Sequence, residues 1–210
     1  MNVEKVLDTP YVRELIDLLT SWANEHRGEY LKPWICEEIL DEKSNTEFLF
    51  GEGCSRVAIS HETWDFVIKF DHCEYGDVDA CNRESRIYEE AKKYGVEKAL
   101  LPIVEWLDIG LPNGSLYIQQ RADCLWEDVP DDLYDKIEQI YKNSEEIPRD
   151  IRFSKTSTMY VCYLIKCFGE DFVRRMVEWA DKCRVNDLHD GNCGFVGEAP
   201  KLLDYAGFWE

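Results

Sequence analysis

The sequence lacks the patterns that mark secreted, zinc-binding and membrane-spanning proteins. Its nine cysteines are an odd number and include no C-x-x-C pair, so we expect neither a disulfide framework nor a zinc site. No basic and apolar leader follows Met1, and no apolar run approaches the ~20 residues that a membrane span needs. We therefore expect a protein of the reducing cytoplasm that does not interact with a membrane.

Positive charge is also scarce in this chain. Its 24 Lys and Arg residues are outnumbered by 43 Asp and Glu residues, which gives a net charge of −19. A broad basic face for nucleic acid or for an anionic membrane is not expected from this balance. The acidic surface fits a cationic partner, or serves solubility alone.

The chain has no repeat and no low-complexity linker, and its 210 residues, 45% of them hydrophobic, suffice for one domain or two small lobes. A loop is expected at 41–45, a glycine turn at 51–55, and a break at Gly169. Apolar periodicity predicts helices at 3–26 and 34–40, strands at 48–50, 56–59 and 66–70, a helix at 79–94, strands at 101–107 and 116–120, helices from 130 and at 158–183, and a hairpin at 193–196 and 201–203. This mixture predicts an α+β fold.

Three oxygen-bearing side chains stand near the end of the chain. Asp187 and Asn192 lie in the sequence V-N-D-L-H-D-G-N-C-G, and Asp204 follows the predicted hairpin in L-L-D-Y-A-G. Such a frame can place two carboxylates and an amide oxygen around one volume, as a magnesium–nucleotide site requires. The D-x-x-x-x-N spacing alone is common, because Asp and Asn are also ordinary turn residues.

These two segments resemble the protein-kinase-like superfamily, and D-L-H-D-G-N is most similar to the aminoglycoside and choline kinases and to kinase-like proteins of phages and bacteria. The resemblance implies that Asp187 orients or deprotonates the acceptor hydroxyl and that Asn192 and Asp204 hold Mg²⁺. It also implies a two-lobed fold with a five-stranded antiparallel N-lobe and a reduced helical C-lobe. We expect a helical extension at 1–45, the N-lobe at 46–122 and the C-lobe at 123–210.

A lysine stands on an otherwise apolar predicted strand, in F-V-I-K-F. Strand alternation can direct Lys69 to solvent, or a counter-charge can hold it. The resemblance implies the second alternative, with Glu84 of the next helix fixing Lys69 over the α- and β-phosphates of ATP. Glu89 and Glu90 are competing candidates for that role.

Glycines near the second predicted strand have no side chain, so phosphate oxygens could approach the backbone N–H groups there. The resemblance implies nucleotide contacts from Gly51, Gly53 and Ser55, although G-x-G also marks plain hairpins and Ser55 could be an ordinary turn residue. Arg56 stands where the family has a third glycine. By the same resemblance, the carbonyl of Gln120 and the N–H of Ala122 bind adenine, with Gln119 as gatekeeper.

Two neighbours of Asp187 have open roles. His189 is a candidate ligand or base, or it braces the loop, and the resemblance favours bracing because it assigns the chemistry to Asp187. Asp190 could assist magnesium or be solvated.

We therefore expect an ATP- and Mg²⁺-dependent phosphotransferase. The first hypothesis is a minimal Ser/Thr protein kinase that acts on a partner protein, including a host protein in the host cytoplasm if the chain is a phage or bacterial effector. It is motivated by the missing substrate-binding helices of the small-molecule kinases, together with the set Lys69, Glu84, Asp187, Asn192 and Asp204. The alternatives are an aminoglycoside- or choline-like small-molecule kinase, and a non-catalytic nucleotide- or protein-binding pseudokinase. The sequence does not give the oligomeric state.

Overall fold

The computed structural model is an α+β protein with antiparallel sheets, so the predicted fold class is confirmed. The structure describes residues 3–27, 29, 33–43, 47–52, 57–72, 80–107, 114–125, 129–153 and 155–205. Short 3₁₀ helices lie at Glu97–Ala99, Arg149–Ile151 and Asp190–Asn192. The α-helices are α1 (Val3–Leu7), α2 (Val12–Glu25), α3 (Pro33–Lys43), α4 (Ala80–Tyr94), α5 (Asp131–Lys142), α6 (Thr158–Phe168) and α7 (Glu170–Cys183). The strands are β1 (Leu49–Glu52), β2 (Val57–Ser60), β3 (Phe66–His72), β4 (Ile103–Leu107), β5 (Gly114–Gln120), β6 (Asp123–Cys124), β7 (Cys193–Val196) and β8 (Ala199–Leu202).

One compact unit comprises residues 1–83 and 103–121. Its sheet has the order β1-β2-β3-β5-β4, and every neighbouring pair is antiparallel. In β3 the buried side chains alternate, because Phe66, Ile68 and Phe70 are buried whereas Val67 and Lys69 are only partly buried. The buried face packs in one apolar cluster with residues of α2 and α3, including Leu15, Leu19, Cys36 and Leu40. Burial of this apolar area is the main stabilising term of the unit.

The other compact unit comprises residues 84–102 and 122–210. Its sheet has the order β6-β7-β8, and its core is formed by residues of α5, α6 and α7 together with the apolar side of α4. Two buried polar groups tie separate segments to this core. The indole N–H of Trp179 donates to the carbonyl of Ile87 at 3.2 Å, and the hydroxyl of Tyr205 donates to the carbonyl of Leu101 at 2.9 Å.

Three predicted boundaries are wrong, each for a local reason. The single helix predicted for 3–26 is divided into α1 and α2, because Pro10 lacks an N–H group and Tyr11 adopts a left-handed φ of 70°. The loop predicted from Asp41 begins later, since α3 continues to Lys43. The predicted glycine turn does not begin at Gly51, because Gly51 and Glu52 pair with β2 as part of β1.

The break predicted at Gly169 is confirmed. This glycine has φ 88°, and it ends α6 and begins α7. The left-handed φ is readily adopted by glycine and rarely by other residues. The helical pattern of residues 158–183 is therefore two helices of 11 and 14 residues.

The strand β6 was not predicted. It is two residues long, and it pairs with β7 in the register Asp123–Phe195 and Cys124–Gly194. A Cβ added to Gly194 would lie 2.3 Å from the carbonyl oxygen of Asp123. The two strands can therefore approach this closely only because position 194 has no side chain. Within the part of the chain that the structure describes, no helix has the length and apolar character needed to cross a bilayer.

Candidate functional site

Asp187 and Asn192 are connected through the backbone of the loop between them. The side-chain nitrogen of Asn192 donates a hydrogen bond to the carbonyl of Asp187 at 2.8 Å. The N–H of His189 donates to the same carbonyl at 3.1 Å, and the N–H of Asn192 donates to the carbonyl of His189 at 2.9 Å. Because the amide nitrogen of Asn192 is engaged by the loop, its amide oxygen is the atom suited to a metal ion.

The imidazole of His189 lies against this loop. Its Nδ1 accepts a hydrogen bond from the N–H of Gly191 at 3.1 Å, so a neutral ring carries its proton on Nε2, which is 3.7 Å from Oδ2 of Asp187. A Cβ at position 191 would lie 2.9 Å from Cε1 of the ring. Gly191 therefore leaves the space that the ring occupies. Of the roles left open for His189, the structure shows the contact that braces the loop.

Asp204 follows the hairpin that begins directly after Asn192. In this hairpin Cys193 pairs with Leu202, and the N–H of Leu203 donates to the carbonyl of Asn192 at 2.8 Å. Asn192 and Leu203 thus extend the antiparallel register by one pair. Asp204 is the next residue, and its side chain is half-buried. The backbone therefore brings Asn192 and Asp204 to the same end of the hairpin.

Glu84 lies in the same unit as this loop and hairpin, and it is fully buried. Its Oε1 accepts a hydrogen bond from the N–H of Tyr205 at 3.4 Å, directly after Asp204. The alternatives Glu89 and Glu90 instead form surface ion pairs one turn further along α4, with Lys92 and Lys93 respectively. Burial thus distinguishes Glu84 from the other two candidates. It also connects α4 to the segment that carries Asp204.

A segment that sequence reasoning missed holds the other side of the loop that contains Asp187. Residue Lys155 forms a parallel β-bridge with His189, and its ammonium lies 3.3 Å from Oδ1 of Asp187. The hydroxyl of Thr156 donates to the carbonyl of Leu188 at 2.7 Å. The N–H of Ser157 donates to Oδ1 of Asp190 at 2.6 Å, so the Asp190 carboxylate accepts a hydrogen bond from the backbone of this segment. Ser157 also caps α6 by accepting from the N–H of Tyr160, and this capping serine is the one local signal that the segment carries.

The hairpin rests on buried groups of α6. The hydroxyl of Tyr160 donates to the carbonyl of Lys201 at 2.8 Å, and it lies 3.4 Å from the carbonyl of Gly194. Burial raises the pKa of this phenol well above its usual range. Burial likewise raises the pKa of the Cys193 thiol, which lies 3.4 Å from the carbonyl of His189. Both groups therefore stay neutral and support the backbone rather than react.

The remaining predicted site residues divide between the two units. In the first unit, Gly51 lies opposite Ala58, and Lys69 lies opposite Ala58 on one side and Tyr117 on the other. Lys69 is partly buried, with its ammonium 5.7 Å from the centroid of the Tyr117 ring.

Gln120 ends β5, and Gln119 beside it is fully buried. Ala122, which belongs to the second unit, is half-buried. Gly53 and Ser55 lie outside the described residues, as does Arg56. The contacts predicted for these positions stay predictions.

The loop and the hairpin present oxygen atoms of the kind that Mg²⁺ binds. Mg²⁺ is usually held by one or two carboxylates together with substrate phosphates and waters. Asn192 and Asp204 offer an amide oxygen and a carboxylate at one end of the hairpin. Among the described residues, no group of three or more His, Cys, Asp or Glu side chains is arranged to hold a metal ion.

Comparisons with protein-family models, with curated proteins and with solved structures found no match to this chain.

Proposed function

We propose that this protein is an ATP- and Mg²⁺-dependent phosphotransferase of the protein-kinase-like type, acting on Ser or Thr hydroxyls of a partner protein. The observation that carries the proposal is the hydrogen bond from the Asn192 amide to the Asp187 carbonyl, together with the hairpin in which Asp204 directly follows Leu203, whose N–H donates to the carbonyl of Asn192. This frame joins one carboxylate for an acceptor to two oxygen donors for a metal. The loop wording D-L-H-D-G-N, which resembles that of kinase-like enzymes, supports the same proposal.

Asp187 is the proposed acceptor-orienting residue. Its side chain is 13% exposed, so its carboxylate is largely withdrawn from bulk water and yet accessible to a hydroxyl group. During transfer, the acceptor oxygen forms a bond to the γ-phosphorus, the bond between that phosphorus and the β–γ bridging oxygen breaks, and the hydroxyl proton passes to Asp187. The electron pair of the broken bond leaves with ADP. The two braces described above, from His189 and from the 155–157 segment, keep this carboxylate in place.

Asn192 and Asp204 are the proposed metal ligands. Together they would hold Mg²⁺, which would supply positive charge to offset the negative charge of the phosphates. The protein's part is to fix the amide oxygen of Asn192, through its engaged nitrogen, and to fix Asp204 between Leu203 and Tyr205, whose N–H groups donate to Asn192 and Glu84. Preorganised donors of this kind need no rearrangement when the charge develops.

Labelling with γ-³²P-ATP in a cell lysate tests the proposal. The purified protein with MgCl₂ should label one or more proteins, and Asp187→Asn should abolish the labelled bands while retaining the fold. Asp181→Asn is the matched control, because Asp181 is an exposed carboxylate near the end of α7 and should leave labelling unchanged. Failure of the wild-type protein to label any band, together with no release of ADP, would contradict a phosphotransferase.

A small-molecule kinase is the second candidate, and the net charge of −19 favours it for cationic acceptors. The ammonium of Lys155 beside Asp187 argues in the other direction, because a second cation at that point is repelled. Release of ADP in the presence of aminoglycosides, choline-like amines or neutral sugars, without a labelled protein band, would favour this candidate.

A further inference from the structure

The ion pair between Lys155 and Asp187 joins residues that are 32 positions apart. The ammonium nitrogen lies 3.3 Å from Oδ1 of Asp187. The side chain of Lys155 is 55% exposed, whereas that of Asp187 is 13% exposed. An ammonium group has three N–H donors, and a single carboxylate oxygen takes one of them. The cation is therefore fixed at Asp187 and is still open toward solvent.

The backbone that carries Lys155 is held at successive positions. Its bridge to His189, the bond from Thr156 to Leu188 and the bond from Ser157 to Asp190 all reach the loop that contains Asp187. Ser157 is at the same time the N-cap of α6, so the segment is tied to a helix as well as to the loop. A lysine side chain ordinarily has high conformational entropy. Because the backbone of Lys155 is fixed, the positions that its ammonium group can reach are restricted.

The gain in stability does not account for this arrangement. An ion pair with an exposed partner contributes little to stability, because solvent screens it and because both side chains lose conformational freedom. A catalytic carboxylate that carries a fixed cation has a different advantage. Charge develops on the transferred phosphoryl group, and a preorganised cation beside the acceptor stabilises that charge.

We propose that Lys155 is a catalytic residue whose ammonium binds an oxygen of the phosphoryl group during its transfer, while the same ammonium holds Asp187 in place. The inference rests on the proposed phosphotransferase function and deepens it. An acceptor hydroxyl within hydrogen-bond reach of Asp187, about 2.6–3.2 Å, brings the phosphorus that it attacks close to Lys155 as well. Bond formation, bond breakage and the proton's path are those given above, and Lys155 itself exchanges no proton.

Tetrafluoroaluminate with Mg-ADP tests the contact without relying on turnover, because AlF₄⁻ occupies the place of the phosphoryl group in transit. The wild-type protein should gain thermal stability with Mg-ADP and a further increment when AlF₄⁻ is added. Lys155→Met keeps the length of the side chain and removes the charge, so it should retain the Mg-ADP shift and lose the AlF₄⁻ increment. Lys166→Met, at an exposed lysine of α6, is the matched control and should keep both.

The outcomes separate the two proposals. A Mg-ADP shift with an equal AlF₄⁻ increment in the wild-type protein and in Lys155→Met overturns the role of Lys155 alone. Absence of any Mg-ADP shift in the wild-type protein overturns the nucleotide site, and the role of Lys155 with it. In turnover, Lys155→Met should lower kcat by about 10²–10³ with little change in the KM for ATP. Lys155→Arg should restore much of that loss, because the charge returns.

Discussion

The carbonyl of Asp187 accepts a hydrogen bond from the side-chain amide of Asn192 at 2.8 Å, so the proposed acceptor site and the proposed metal ligand are parts of one loop. Any change at Asn192 is therefore also a change in the setting of Asp187.

Asn192→Ala removes both this hydrogen bond and the proposed metal ligand. We expect phosphoryl transfer to fall by about 10²–10³ and the free energy of unfolding to fall by about 1 kcal/mol. Release of ADP as a function of MgCl₂ and unfolding in urea measure the two effects. Asn192→Asp should retain an oxygen ligand but lose the donor, so it should lose stability while keeping more of the activity. A normal magnesium requirement in Asn192→Ala would show that Asn192 is not a ligand.

Gly194→Ala and Gly197→Ala distinguish crowding from backbone strain within one hairpin. A Cβ at position 194 would meet the carbonyl oxygen of Asp123 at 2.3 Å, and this backbone atom cannot move aside alone. A Cβ at position 197 meets nothing within 4 Å, but its φ of 59° is left-handed. We expect Gly197→Ala to cost about 1–2 kcal/mol and Gly194→Ala to cost more, because strands β6 and β7 must separate. Urea unfolding followed by circular dichroism measures both, and an equal or smaller cost for Gly194→Ala would be inconsistent with that close approach.

Tyr205→Phe removes the buried hydroxyl that donates to the carbonyl of Leu101. Loss of such a hydrogen bond should lower the free energy of unfolding by about 1–1.5 kcal/mol. Tyr141→Phe is the control, because Tyr141 is 45% exposed and its substitution should change stability by less than about 0.5 kcal/mol. Chemical denaturation of the two variants in parallel measures the difference. Indistinguishable midpoints would mean that the hydroxyl of Tyr205 does not stabilise this part of the core.

We expect the buried thiol of Cys36 to make the folded protein less stable at alkaline pH. Burial raises the pKa of its thiol from 9.0 to about 12, so the folded protein keeps a proton that the unfolded chain releases above pH 9. The contribution to stability is complete below pH 9 and declines at about 1.4 kcal/mol per pH unit as the pH rises toward 12. Urea unfolding at pH 8 and pH 10.5 should show a steeper decline for the wild-type protein than for Cys36→Ala. Parallel declines in the two proteins would exclude Cys36 as the cause.

Lys69→Ala tests the residue assigned to the phosphates of ATP. Lys69 is partly buried, and its ammonium lies 5.7 Å from the centroid of the Tyr117 ring. We expect the variant to fold, with Mg-ATP affinity lower by about tenfold or more, since a charged hydrogen bond contributes about 1.5–3 kcal/mol. Lys142→Ala, at the exposed end of α5, serves as the control. Thermal shift with Mg-ATP measures the affinity, and unfolding of Lys69→Ala without ligand would assign Lys69 a structural role.

Local sequence patterns were sufficient for most of the secondary structure. The alternation of Phe66, Ile68 and Phe70 predicted β3, and Gly169 predicted the division between α6 and α7, because each depends on neighbouring residues alone. The errors in the predicted secondary structure had two causes. The apolar repeat of residues 3–26 obscured the effect of Pro10, and the short strand β6 has no periodicity of its own because its pairing with β7 defines it.

The candidate site shows the same limit. Asp187, Asn192 and Asp204 were singled out through the resemblance of D-L-H-D-G-N and L-L-D-Y-A-G to kinase-like enzymes. The hydrogen bond between Asp187 and Asn192 closes within five residues, so a short motif contains it. Lys155 was missed, because its contact with Asp187 spans 32 positions and nothing near Lys155 in the sequence marks it. Long-range contacts of charged side chains depend on tertiary packing, and local sequence patterns do not reveal that packing.

Two sequence intervals separate Asp187, Asn192 and Asp204, and they differ in how strictly their length is fixed. From 187 to 192 the number of residues is fixed, because a side-chain amide must reach one particular carbonyl. From 192 to 204 the pairing of Cys193–Val196 with Ala199–Leu202 is fixed, but the turn at Gly197 lies beyond the last pair, so its length could change without moving either end. A search for distant relatives of this site should therefore keep the length of the first interval constant and allow the length of the second to vary.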